Sequence, residues 1–234
     1  MKSLQMKKIL LFGFVLTTII GLNAQNTFFP TTAGVVQTYI HKNEKGKEKN
    51  YTRQTINDVK VSGDETIVSY TFEILDNNQK SKNLPEAFPC KVVIKGDVVT
   101  LDMNEAFAAM RQDAQMNAVV EITGVPMEIS GSLKPGQKIK DANMTMTMDL
   151  GIMKMQTSIQ MTDGECLSIE DVTVPAGTFK CHKITQTTTT TVMKKKIMSK
   201  TISWLAIGIG TVKTESYDEK NKLTGTSELV QLKE

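Results

Sequence analysis

Residues 51–76, YTRQTINDVKVSGDETIVSYTFEILD, decide the fold class. Two runs rich in β-branched and aromatic residues, Tyr51 to Ser62 and Glu65 to Asp76, flank Ser62-Gly63-Asp64, whose residues tolerate positive φ or bond their own backbone. So short a break cannot hold a parallel crossover, which needs a dozen residues or more, so the two runs are antiparallel neighbours. The same grammar extends outward. Strands are predicted from Gly34 to Lys42, Cys90 to Leu101, Val119 to Ser130, Asn143 to Asp149, Ile152 to Thr162, Cys166 to Val174, Thr178 to Thr191, Val192 to Trp204, Ile209 to Tyr217 and Leu223 to Leu232. Further breaks carry Asn-Glu-Lys-Gly, Asp-Asn-Asn and Lys-Gly-Asp. The expected fold is mainly β: a large curved antiparallel meander, half-barrel-like, with one short helix packed on it. That helix is expected from Asp102 to Met116, where Met103, Ala106, Phe107, Met110 and Ala114 recur at helical spacing and Asp102 with Glu105 forms a capping box. No domain boundary interrupts residues 25–234, which are read as one domain.

The chain has 234 residues, 40% hydrophobic and 23% charged, a composition that excludes both a disordered polyelectrolyte and a polytopic membrane protein. Lys2, Lys7 and Lys8 precede an apolar run from Ile9 to Leu22 that is too short to span a bilayer comfortably. This is the order of a signal peptide over residues 1–24, with cleavage expected after Ala24. The mature chain is then expected to be exported, periplasmic or extracellular, without a transmembrane segment. No Cys follows the cut, so the protein is not expected to be a lipoprotein. Removing the three leader lysines leaves 25 basic residues against 25 acidic ones, which gives no reason to propose a nucleic acid partner.

Three cysteines, Cys90, Cys166 and Cys181, meet an oxidising compartment, and one must stay unpaired. Cys166 and Cys181 are the candidate disulfide. Loop-closure entropy favours it, whereas a tight turn at Pro175-Ala176 would set Cys181 opposite residue 170 and out of bridging reach, so the bridge stays open. Cys181-His182 reads as a packed cysteine beside a surface histidine. With His41 the only other histidine, there is no metal motif and no resident cofactor is implied. No G-x-S-x-G, P-loop or H-E-x-x-H is present, and Gly208-Ile209-Gly210 lacks the third glycine of a dinucleotide fingerprint. The protein is not expected to be an enzyme.

Methionine is the unusual feature. Met144, Met146 and Met148 alternate with threonines, and Met153 and Met155 follow Leu150-Gly151. A two-residue turn there would set Met148 opposite Met153 and Met146 opposite Met155, gathering thioethers on one face. Such a face suits a pliable core, an adaptable pocket for a lipid-like or other apolar small molecule, or, as a distant alternative, Cu(I). The expected lining of a pocket is Met146, Met148, Met153, Met155 and Phe107. The run Thr185 to Thr191 reads as an exposed or edge strand, and Lys194-Lys195-Lys196 as a charged guard on a sheet edge, with a patch for anionic lipid or polysaccharide as the costlier alternative.

The segments Val172 to Cys181 (VTVPAGTFKC) and Trp204 to Glu215 (WLAIGIGTVKTE), with the turn Leu133-Lys134-Pro135-Gly136 ahead of them, resemble an exported bacterial family of unknown function, the TapB-type or YmcC-like group. That group is similar in architecture to the curved half-barrels of periplasmic lipoprotein carriers. Ala206-Ile207 stands where its members often carry Ala-Pro. The resemblance implies a fold and brings no catalytic residues. Two function classes remain: a binding module holding an apolar or amphipathic ligand on a concave sheet, or a scaffold docking another envelope protein.

Overall fold

The computed structural model describes residues 26–80, 87–102, 119–149 and 154–234. The signal peptide, the helix expected after Asp102, Phe107 and Met153 lie outside the described residues. The described chain is built from antiparallel strands: β1 (Val36–Asn43), β2 (Glu48–Ser62), β3 (Glu65–Leu75), β4 (Phe88–Lys95), β5 (Val98–Asp102), β6 (Val119–Val125), β7 (Glu128–Ser130), β8 (Ala142–Asp149), β9 (Lys154–Val174), β10 (Gly177–Val192), β11 (Lys195–Ala206), β12 (Gly210–Asp218) and β13 (Leu223–Lys233). They form one 13-stranded sheet in the order β6-β8-β9-β10-β11-β12-β13-β1-β2-β3-β4-β5-β7. The chain closes on itself through β1 and β13, which pair from Val36 with Lys233 to Asn43 with Gly225. Twist accumulates from strand to strand and curls so large a sheet. Its two edges, β6 and β7, are separated in sequence only by Pro126 and Met127, yet share no ladder, so the curl stays open.

Several expected boundaries move. The run Cys90 to Leu101 is two strands, because Gly96 takes φ of 60° and turns the chain. Val119 to Ser130 is also two strands, at opposite edges of the sheet, because Pro126 has no amide to continue a ladder. Conversely, the two runs between Ile152 and Val174 are one long strand, β9, which absorbs Asp163 and Leu167 as irregularities. The threonine run is not at an edge: β10 lies between β9 and β11, and Thr189 is buried.

Apolar residues are buried on both faces. A first core gathers Ile56, Val68, Val92, Ile94, Val99 and Ile129 with Cys166, Ile184 and Leu205. A second gathers Val174, Cys181, Trp204, Ala206, Val212 and Leu229. Ile184 and Cys181 are an odd number of residues apart on β10, as are Leu205 and Trp204 on β11, so the two cores take opposite faces of these strands. The β9–β10 turn folds back over the second core, where Ala176 N donates to Leu229 O at 3.3 Å.

The first core is plugged by the chain's N-terminal described segment. Phe28 is 3% exposed, and its ring meets His182 edge-on at 4.9 Å. Gly208 N donates to Thr27 O at 2.8 Å. A Cβ at Gly131 would sit 1.7 Å from Asn26 O, so only glycine admits the segment there. The Leu133–Gly136 turn is held just as firmly: Gly136 N donates to Cys166 O, and Cys166 N to Gln137 O.

Candidate functional site

The methionine hairpin keeps its face and changes its register. Met148 pairs with Met155, Met146 with Thr157 and Met144 with Ile159, so the connection is four residues, 150–153, instead of two. The Lys154–Asp149 ion pair at 3.1 Å closes it. Because the shift is two residues, the side-chain parity survives, and Met144, Met146, Met148 and Met155 still share one face. On the other side Ile122 pairs with Met146, and Val120 with Met148. Met146 and Met155 are therefore diagonal neighbours instead of direct partners.

A cleft of about 600 Å³ opens beside this face, lined on one wall by Ile122 and Met144 and on the other by Val93, Val98 and Thr100, with Pro126 between them and Leu101 at the end of β5. Val93, Val98 and Thr100 alternate with Val92, Ile94 and Val99, which are buried in the first core. The second wall is thus the opposite face of β4 and β5 from that core, and the β6–β8 end of the sheet lies against it. Lys95, Asp102 and Glu128 complete the lining with charge. Lys95 pairs with Glu65 at 3.1 Å and Glu128 with Lys140 at 3.6 Å, both toward solvent. Apolar walls with a few charged groups suit a ligand with a greasy body and a polar end, and the volume falls within the range of small-molecule sites.

Of the residues expected to line a pocket, Met146 and Met148 lie along the strand from Met144, beyond the lining itself, and Met155 faces Met148. The β4 and β5 wall was missed. Its signal is the pair of continuous apolar runs Val92-Val93-Ile94 and Val98-Val99, which mark strands covered on both faces, where alternation would mark one.

Cys166 and Cys181 are both free thiols. Cys181 pairs with Glu170 and Cys166 with Ile184, so Leu167 is an extra residue on β9 and turns the two sulfurs to opposite faces. His182 is not a surface residue: its ring packs on Phe28, its Nδ1 is buried without a hydrogen bond, and burial lowers its pKa. Trp204 anchors the second core. Its Nε1 donates to Glu170 Oε1 at 2.7 Å, and the ammonium groups of Lys183 and Lys213 lie 5.1 and 4.9 Å from its ring. The Trp204 hydrogen bond, then that of Ser168, holds the Glu170 carboxyl below the usual range. Among the described residues no cluster of three His, Cys, Asp or Glu side chains is placed to hold a metal ion.

The fold has close relatives in shape. A chain from Bacteroides fragilis NCTC 9343, assigned as an exported protein with a YmcC-like fold, superposes with a TM-score of 0.68 at 22% identity, covering 88% of this chain and 99% of that one. A chain from Parabacteroides distasonis ATCC 8503, assigned as a lipoprotein, gives 0.69 at 22% identity, covering 88% and 98%. No curated protein matches the sequence. Residues 32–229, which run from just before β1 into β13, match the family model described as DUF3108-like, and the chain belongs to that family.

Proposed function

We infer that this is an exported, non-enzymatic binding protein of the cell envelope that holds an apolar or amphipathic ligand between the methionine face of β6–β8 and the outer face of β4–β5. The observation that carries the reading is the cleft of about 600 Å³, with Ile122, Met144, Val93 and Val98 on its walls and Lys95, Asp102 and Glu128 beside them. Such walls leave apolar surface uncovered, which a ligand would cover. The basic, apolar and small-residue order of residues 1–24 supports export, as do the assignments of the two structural relatives. A second reading, docking of another envelope protein, draws on the two sheet edges, β6 and β7, which pair with no further strand among the described residues.

Native mass spectrometry of the protein purified from its own envelope tests both. The polypeptide mass should begin at Gln25, and a co-purifying small mass should disappear in Ile122→Lys and Met144→Lys. A stoichiometric protein partner without a small mass favours the second reading. A retained N-terminus or an acylated mass overturns the leader assignment.

A further inference from the structure

The β10–β11 hairpin ends in a tip that its own fold does not explain. Met193, Ile197 and Met198 are 64%, 53% and 42% exposed, and the three lysines Lys194, Lys195 and Lys196 stand exposed among them. β11 pairs with β12 only from Ser199 to Ala206, so its first four residues overhang that neighbour. An edge guard would repel another strand along an exposed ladder, whereas these lysines sit at the free end of an interior hairpin. Among the described residues none of the three makes an ion pair. In the β12–β13 turn, Asp218 is committed to its own loop, accepting from Lys220 N and Lys222 N at 2.9 Å.

The tip is also strained. Met193 and Lys194 take φ of 47° and 69°, the left-handed region that two-residue hairpin turns demand and that Asn-Gly satisfies at far lower cost. A bulky apolar residue and a lysine there cost stability relative to Asn-Gly. β9 runs on beside the tip to Lys154, so the tip is open on its β12 side, and apolar side chains flanked by lysines there are the chemistry of an interfacial anchor: the apolar groups enter the acyl boundary and the ammonium groups meet anionic headgroups.

We propose that the Met193–Met198 tip docks the protein on an anionic phospholipid bilayer. The proposal is independent of the ligand cleft, which lies elsewhere on the sheet. The test is co-flotation of the purified full-length mature chain with vesicles of phosphatidylcholine containing phosphatidylglycerol, against phosphatidylcholine alone. The wild type should bind the anionic vesicles at least tenfold more tightly. At about fivefold per lysine, Lys194→Gln/Lys195→Gln/Lys196→Gln should weaken this binding on the order of 100-fold. Met193→Ser/Ile197→Ser should weaken it while leaving its salt dependence in place. Met193→Asn/Lys194→Gly should weaken it and at the same time raise the thermal midpoint, which separates lost docking from lost folding. Absence of wild-type binding, binding unchanged in the variants, or equal binding to a soluble anionic polysaccharide would overturn the proposal.

Discussion

The two-residue turn Pro175-Ala176 sets Cys181 opposite Glu170, along the strand from Cys166, and Leu167 then turns the two thiols to opposite faces. By inserting one residue into β9 it sends Cys166 into one core and Cys181 into the other. Alkylation of the unfolded, unreduced protein should therefore add three adducts, and a mass two hydrogens short would reveal a bridge. Burial sets the pH limits of the fold as well. It pushes the Cys181 thiol up to about 11 from an ordinary 9.0 and raises the phenols of Tyr39 and Tyr70 further. It lowers the imidazoles of His41 and His182 from 6.5. A raised thiol or phenol keeps its proton in the folded state longer than in the unfolded one, so stability is lost as pH climbs above 9. A lowered imidazole takes up its proton more readily when unfolded, so stability is lost as pH falls below 6.5. Urea midpoints should accordingly hold a plateau between these limits and fall on both sides. A midpoint that rises above pH 9 would contradict the burial of Cys181.

At the scale of single elements, replacing Met193-Lys194 by Asn-Gly should recover about 1 to 2 kcal/mol of backbone strain. For a chain of this size each kcal/mol moves the thermal midpoint by roughly 2 to 4 °C, which scanning calorimetry resolves. Strand identity was legible in the sequence because β-branched alternation and turn residues report directly on local backbone preference. Pairing partners were less so. The methionine register depended on a loop length that the sequence leaves free between two and four residues, and only the parity of the strand was secure. The reading of one strand from Val119 to Ser130 runs through Pro126, although a proline inside a strand pattern argues for a break, and that the strand after it joins the opposite edge depends on the curl of the whole sheet. For the same reason half of the cleft was invisible: its second wall belongs to strands remote in sequence from the methionines.

Across the whole molecule, the segment around Phe28 ties the beginning of the described chain to the β11–β12 turn and to Gly131. Phe28→Ala should cost roughly 3 to 5 kcal/mol, read as a lower urea midpoint, because the vacated volume lies between His182 and the first core. A loss below 1 kcal/mol would mean that the segment merely rests on the surface. The ladder between β1 and β13 carries a consequence in time. The ribosome releases β1 early and its partner β13 late, so β1 can pair with β2 at once, whereas its other edge and the plug, which needs His182 and Gly208, wait until nearly the entire polypeptide has emerged. If the chain is exported end first through a secretion channel, as proposed, the β1–β13 seam cannot lock on the near side before its late strands arrive. The local hairpins can form as they emerge, but the join between the two halves of the sheet closes only when β13 arrives.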